Sequence, residues 1–155
     1  MSRPAPGDAA PEFEALTTDG RRARLADFRG RKLVLYFYPR DDTPHCTRQA
    51  CSLRDHLDEI AARGAAVVGV STQGAASHQA FTSKHRLNFP LLADEDGTIG
   101  RAYGVLGGRG ILARLRTAAG LADRVTFVVD ERGRVAHVID RPDVERHAEQ
   151  VLALL

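Results

Sequence analysis

The sequence is poor in cysteine, with only Cys46 and Cys51 among its 155 residues. Two cysteines are more typical of a catalytic pair, a redox-active pair or incidental thiols than of a structural disulfide. Long apolar runs are also missing. The opening segment, MSRPAPGDAAPEFEAL, has no continuous apolar stretch that could serve as a signal peptide, and no segment reaches membrane-spanning length. We therefore expect a cytoplasmic protein.

Neither sign of charge dominates the chain. Its 22 Lys and Arg residues and 20 Asp and Glu residues leave a formal net charge of +2. There is no long basic run and no basic stripe interleaved with aromatic residues, so the charge pattern does not indicate nucleic-acid binding. A composition of 43% hydrophobic and 27% charged residues is typical of a globular protein. The length predicts a single domain over residues 1–155.

Short apolar runs rich in β-branched and aromatic residues predict the strands. The runs are KLVLYFY (32–38), GAAVVGVS (64–71), RVTFVVD (124–130) and GRVAHVI (133–139). The last two predict a hairpin around Glu131-Arg132-Gly133. Earlier in the chain, TTDGRRARLADFRG predicts a turn at Asp19-Gly20 followed by a short strand and a helical turn.

Apolar residues at helical spacing predict one long helix over residues 44–63, with Gly64 at its C-terminal cap. Further helices are expected over 75–85, briefly over 98–103, and at the C-terminus, where an apolar stripe runs from Val144 to Leu155. This order of strands and helices predicts a three-layer α/β/α sandwich with a mixed central sheet. The glycine-rich segment 104–123 is either a plain surface excursion, with at most one amphipathic helical turn, or a small apolar contact patch for a partner.

Cys46 lies where the long helix should begin. Thr43 and Pro44 form a start signal, since a hydroxyl residue suits the cap position and Pro suits the first helical position. Cys46 then falls in the first turn, where unpaired N–H groups and the helix dipole favour a negative charge by roughly 0.3 to 1 kcal/mol. A thiolate is therefore favoured there, and Cys46 is a candidate nucleophile.

The spacing of the two cysteines restricts how they can react with each other. A helical projection places Cys46 on the apolar side with Ala50 and Leu53, and Cys51 on a polar side. Residues five apart in a helix have Cα atoms roughly 8 to 9 Å apart, and disulfides do not form above about 7 Å. A Cys46–Cys51 disulfide therefore requires the helix start to unwind.

Other interpretations of these residues remain open. Cys46 can be a small buried apolar residue and Cys51 a bystander. A metal site lacks further ligands although His45 adjoins Cys46, and the C-x-x-C pattern of thioredoxin-type exchange is absent. Surface positions are expected for the remaining histidines, which are His56, His78, His85, His137 and His147. Asp41 and Asp42 are expected to favour the positive end of the helix.

The segment YFYPRDDTPHCTRQAC resembles the active-site segment of the peroxiredoxins, whose pattern P-x-x-x-T-x-x-C is matched by Pro39, Thr43 and Cys46. A second cysteine five residues further on is similar to the peroxiredoxin Q group, also called bacterioferritin comigratory protein. The resemblance extends over most of the chain, including FPLLADEDGTIGRAYGV and RVTFVVDERGRV. Two residues depart from the group's pattern: His45 stands where Gly is usual, and Gln49 where Glu is usual.

The resemblance implies a thioredoxin-like fold and reduction of hydroperoxides by thiols, without a metal or an organic cofactor. By the same resemblance, Cys46 would be the peroxidatic cysteine and Cys51 the resolving one. Thr43 and Arg124 would contact the sulfur and the peroxide, and Pro44 would shield the sulfur from solvent. The expected reductant is thioredoxin or a similar dithiol, and the expected state is a monomer. Two alternatives remain: a redox-regulated binding protein, and a peroxidase that uses one cysteine while Cys51 is idle.

Overall fold

A small hairpin precedes the main sheet. The computed structural model describes residues 3–155, and its first strands are β1 (Glu14–Leu16) and β2 (Arg22–Arg24), which pair antiparallel. The predicted turn between them is confirmed, with Gly20 at a φ of +82°, a conformation that glycine adopts without strain. A 3-10 helix, Leu25–Phe28, supplies the helical turn expected after the strand.

The central sheet has five strands in the order β5-β4-β3-β6-β7. Their bounds are β3 (Lys32–Phe37), β4 (Ala65–Ser71), β5 (Leu91–Ala93), β6 (Val125–Val129) and β7 (Val135–Asp140). Strands β3, β4 and β5 are mutually parallel, whereas β6 runs antiparallel to both β3 and β7. The mixed sheet and the β6–β7 hairpin are as predicted. Strand β5 was not predicted, because three residues are too few to show a strand pattern.

Six helices complete the described part of the chain. They are α1 (Pro44–Asp55), α2 (Leu57–Ala62), α3 (Ala75–His85), α4 (Thr98–Ala102), α5 (Ile111–Ala118) and α6 (His147–Leu152). Among residues 3–155, none of the helices has both the length and the apolar character needed to cross a lipid bilayer.

The prediction of one unbroken helix over residues 44–63 is wrong, because the helix is interrupted at His56. In a regular helix, the backbone N–H of His56 would donate to the carbonyl of Ser52. Here the ring Nδ1 lies 2.9 Å from that carbonyl, and the backbone N–H donates to Leu53 instead, at 3.3 Å. The side chain thus replaces the main-chain donor and ends α1.

Segment 104–123 contains a full two-turn helix, α5, rather than the single turn expected. Its apolar residues Ile111, Leu112 and Leu115 are 77%, 76% and 61% exposed. No described residue covers them, so a partner contact at this patch stays a prediction.

Alternate residues of β3 pack into two separate cores, one on each face of the sheet. Leu33, Leu35 and Phe37 face the core that includes α4 and the N-terminal hairpin. Val34 and Tyr36 face the core formed with α1, α2, α3 and α6. This period-two alternation with helices on both faces is the predicted three-layer sandwich, and the arrangement is thioredoxin-like.

Candidate active site

Cys46 lies in the first turn of α1, which follows the C-terminal end of strand β3. Its side chain is 2% exposed and packs in the same core cluster as Ala50 and Leu53, so the predicted inward orientation is confirmed. Cys51 lies in the same unbroken helix and is half-buried. Both cysteines are free thiols here, and an intact helix keeps their Cα atoms roughly 8 to 9 Å apart.

Strand pairing brings Arg124 to Cys46 across 78 positions of sequence. The C-terminal end of β3 pairs with the start of β6 through Phe37 and Val125, so Arg124 lies beside the loop that leads into α1. Its Nη2 donates to Cys46 Sγ at 3.2 Å. The guanidinium is permanently charged and planar, so it stabilises a thiolate and retains donors for a second acceptor.

Gln49 holds the other side of this guanidinium. Its Oε1 accepts a hydrogen bond from Arg124 Nη1 at 2.6 Å, and the residue is fully buried. The amide nitrogen Nε2 is buried without a partner among residues 3–155. Because an amide is neutral, Gln49 orients Arg124 without neutralising its charge. The sequence marked Gln49 only as a departure from a pattern, and the structure shows it in direct contact with the arginine.

Thr43 occupies the cap position of α1, but its hydroxyl does not cap the helix. It donates to the carbonyl of Arg40 at 3.0 Å, and α1 has no side-chain cap hydrogen bond. In this conformation the hydroxyl makes no hydrogen bond to Cys46 within the described part of the chain. Pro44 stands at the first helical position, as predicted, and is exposed, as is the neighbouring His45. Roles for Thr43 and Pro44 at the sulfur therefore stay predictions.

The loop before α1, residues 38–43, is fastened to helix α3 by a buried carboxylate. Asp41 accepts hydrogen bonds from Tyr38 Oη at 2.6 Å, from Ser77 Oγ at 2.7 Å and from His78 Nδ1 at 2.6 Å. Burial raises the pKa of Asp41, but the hydrogen bonds from His78 and Tyr38 outweigh it, so the pKa lies below its ordinary value. Asp41 is thus a buried anchor for this loop, and its effect on the terminus of α1 stays a prediction.

The expectation of a surface position for His78 is wrong, since the side chain is fully buried. Its Nδ1 contacts Asp41, and its Nε2 lies 2.9 Å from the carbonyl oxygen of Leu92. Both nitrogens face oxygen atoms, so the imidazole ring links Asp41 to strand β5. Outside this core, the exposed neighbour Asp42 makes an ion pair with Lys84 at 2.8 Å, and its Oδ1 lies 3.0 Å from His85 Nε2.

The expectation for His147 is also wrong, because this histidine is fully buried at the start of α6. Its Nε2 lies 2.9 Å from Thr126 Oγ1, and its Nδ1 lies 3.2 Å from Gln150 Oε1. Burial lowers the pKa of His147 to about 4, and the charge of Arg124 acts in the same direction. The ring is therefore neutral at pH 7, accepting from Thr126 and donating to Gln150.

Comparison with known proteins places this geometry in a family. The AhpC/TSA family model matches residues 6–138. The chain belongs to the AhpC/TSA family. It is 39% identical to "Peroxiredoxin Bcp" of Escherichia coli (strain K12) over 146 residues, which cover 94% of this chain and 92% of that protein.

Solved structures of similar proteins support the same family assignment. Peroxidoxin BcpB from Mycobacterium tuberculosis superposes with a TM-score of 0.87 at 34% identity, over 98% of this chain and 96% of that one. A bacterioferritin comigratory protein of Xanthomonas campestris superposes with a TM-score of 0.81 at 30% identity, over 91% of this chain and 88% of that one. This AhpC/TSA chain is therefore a peroxiredoxin of the Bcp/Q group, and a thiol peroxidase.

Within this AhpC/TSA site, the structure brings together Cys46 and Arg124, as the resemblance predicted, and adds Gln49 between Arg124 and α1. Cys51 faces away from them in the same helix. For two buried polar residues, the sequence contained a weak sign of their role. Asp41 adjoins the cysteine motif, and Thr126 is a lone polar residue inside a buried strand, the kind of position that requires a hydrogen-bond partner.

Proposed function

We propose that Cys46 is the peroxidatic cysteine of this thiol peroxidase, that Cys51 resolves it within the same chain, and that thioredoxin or a similar dithiol restores both thiols. The observation that carries the proposal is the 3.2 Å contact between Arg124 Nη2 and Cys46 Sγ at a helix start. The position of Cys51 in the same helix supports the resolving step.

In the first step, the Cys46 thiolate attacks one peroxide oxygen. An S–O bond forms, the O–O bond breaks, and the departing hydroxide or alkoxide takes a proton, leaving a sulfenic acid at Cys46 and water or an alcohol. A free thiol of pKa about 8.5 is a few per cent ionised at pH 7, so complete ionisation gains only about 30-fold, or roughly 2 kcal/mol. Most of the acceleration must come from fixed donors that align the peroxide and stabilise the leaving oxygen.

Arg124 is the main candidate for such a donor. It already contacts the sulfur, and Gln49 fixes its second nitrogen. The N–H groups of the first turn of α1 are further donors. We propose that the Thr43 hydroxyl turns from Arg40 towards the peroxide when substrate binds, and that Pro44 limits access of water to the sulfur.

In the second step, the Cys51 thiol condenses with the sulfenic acid, which releases water and forms a disulfide. The separation of roughly 8 to 9 Å between their Cα atoms in a helix is too large for this bond. The first turns of α1 must therefore unwind. Anchors at Asp41 and Asp42 hold the loop before α1 on α3, so these contacts oppose the unwinding. An external dithiol then reduces the disulfide by exchange.

Hydrogen peroxide and organic hydroperoxides are the proposed substrates. The structures of the Xanthomonas campestris relative were solved to give insight into its alkyl peroxide reduction activity, which supports the organic class here. We further propose that residues 1–155 act as one domain, as a monomer in the cytoplasm, where other thiols keep the cysteines reduced.

Steady-state peroxidase assays with thioredoxin on the wild type, Cys46→Ser and Cys51→Ser test the proposal. We expect turnover in the wild type and no reaction in Cys46→Ser. We expect Cys51→Ser to react once and then stop, because its sulfenic acid cannot be converted to an intramolecular disulfide. Unchanged turnover in Cys51→Ser would indicate a one-cysteine peroxidase. A wild type that reacts stoichiometrically and stops would indicate a redox-regulated binding protein.

A further inference from the structure

A cavity of about 500 Å³ opens at the edge of the sheet where β6 begins and β7 ends. Its volume lies in the range of sites for small organic molecules. Charged side chains dominate its lining. They are four arginines and two aspartates: Arg3, Arg116, Arg124, Arg141, Asp123 and Asp140. We call this the arginine cavity.

Two of the four arginines are neutralised inside the cavity. Asp123 pairs with Arg116 and, at 3.2 Å, with Arg3. Asp140 also pairs with Arg3 at 3.2 Å. The carboxylates therefore hold Arg3 and Arg116 in place, and the six charged side chains retain a net charge of two positive units.

The charge that remains belongs to Arg124 and Arg141. Arg124 is bound to a neutral amide and to the Cys46 sulfur, so no carboxylate compensates it. Arg141 is exposed and makes no salt bridge within residues 3–155. Its backbone has a φ of +59°, in the left-handed region that is costly for a residue other than glycine. The turn after β7 thus keeps a strained, uncompensated arginine on the lining of the cavity.

We propose that the arginine cavity binds the carboxylate of an organic hydroperoxide whose peroxide group is reduced at Cys46, an inference that rests on the proposed function. Arginine is suited to bidentate recognition of a carboxylate. Arg124 links the two places, because its guanidinium contacts the sulfur while the same residue lines the cavity. A ligand held in the cavity is therefore separated from the reacting thiol by no more than the length of the Arg124 side chain.

The carboxylate takes no part in the chemistry. The Cys46 thiolate attacks the peroxide oxygen, the O–O bond breaks, and the product is the corresponding hydroxy acid with its carboxylate unchanged. Hydrogen peroxide has no group that could use the cavity. Preference between hydroperoxides is therefore the property that Arg141 should control.

The test compares kcat/KM for a carboxylate-bearing alkyl hydroperoxide and for its methyl ester. We expect the wild type to prefer the acid by about fivefold, as for one partly exposed charge pair. Arg141→Ala should abolish most of that preference, as should raising the salt concentration to about 0.5 M. The matched control is Arg132→Ala, which removes an exposed arginine that makes no salt bridge with any of residues 3–155. Arg132 lies at the opposite end of the β6–β7 hairpin, so this variant should keep the wild-type preference.

A binding measurement separates this inference from the proposed function. The hydroxy-acid product should bind to Cys46→Ser and fail to bind to the double variant Cys46→Ser/Arg141→Ala, by calorimetry. Arg141→Gln replaces Arg141→Ala if the latter does not fold. Normal hydrogen peroxide turnover with equal rates for acid and ester, and no binding of the product, would overturn the cavity assignment alone. A wild type that reduces no hydroperoxide would overturn the proposed function, while product binding would still report on the cavity.

Discussion

Replacing Asp41 by Asn tests the anchor that holds the loop before α1. The residue is 8% exposed, and its side chain accepts three hydrogen bonds, from Tyr38, Ser77 and His78. Asn keeps the shape but places an NH2 group where one oxygen accepted. Either Tyr38, or Ser77 and His78 together, then faces a donor instead of an acceptor.

The expected cost follows from the buried donors that lose their acceptor. Leaving a buried donor without an acceptor costs about 1 to 3 kcal/mol, and more where a charged group is involved. Asn retains one acceptor, so we expect Asp41→Asn to lower the free energy of unfolding by about 3 kcal/mol. The control is Asp42→Asn, the same change at the next residue. Its contacts with Lys84 and His85 are more exposed, so their loss should destabilise the protein much less than the loss of the Asp41 contacts.

The assay is urea unfolding of both reduced variants at pH 7. A second readout is hydrogen exchange in the first turn of α1, which should become faster in Asp41→Asn because its loop is no longer anchored. The pKa of Asp41 is lowered in the folded protein, so its contribution is present above pH about 4 and is lost as pH falls through the folded value. Equal destabilisation by the two substitutions would refute the anchor.

Three other predictions follow from the buried polar groups. Gln49→Leu should slow the reaction with peroxide by about tenfold, because Arg124 loses its positioning contact, and should have little effect on the free energy of unfolding. Stopped-flow kinetics measures the rate and urea unfolding measures the stability. An unchanged rate would contradict the role of Gln49. For His147, the pKa falls from 6.5 to about 4 on folding, so the unfolded chain binds the proton first. Unfolding free energy should therefore decrease by up to about 1.4 kcal/mol per pH unit between these values as pH falls, and His147→Gln should lose this slope. Tyr36→Phe removes a buried hydroxyl that has no partner among residues 3–155, and should raise the free energy of unfolding by about 1 kcal/mol; a large loss would mean that the hydroxyl is paired.

Local patterns in the sequence were sufficient for the elements that carry the cysteines. The nearly continuous apolar run KLVLYFY predicted β3, and Thr43-Pro44 predicted the start of α1 two residues before Cys46. Longer elements with a clear apolar pattern were also predicted, because that pattern lies within the element's own residues. Strand β5 and the break at His56 were missed, since the first is three residues long and the second depends on one side chain taking a main-chain acceptor.

Buried polar contacts could not be predicted in the same way, because their partners are distant in sequence. His78 meets Asp41 across 37 positions, and His147 meets Thr126 across 21. A histidine carries no local sign of burial, so the default of a surface position failed for both. Arg124 was found through the family resemblance, while its contact with Gln49 required the pairing of β3 with β6.

Mass spectrometry of the reduced chain after one equivalent of hydrogen peroxide tests the two-cysteine cycle most directly. Peptide mapping without reductant should find Cys46 and Cys51 joined in one disulfide within a single chain, with a loss of two hydrogen atoms from the intact mass. An unlinked Cys51 with Cys46 accumulating as sulfenic acid, or as sulfinic acid after a second equivalent of peroxide, would contradict resolution by Cys51. An unmodified Cys46 would contradict its role as the peroxidatic cysteine.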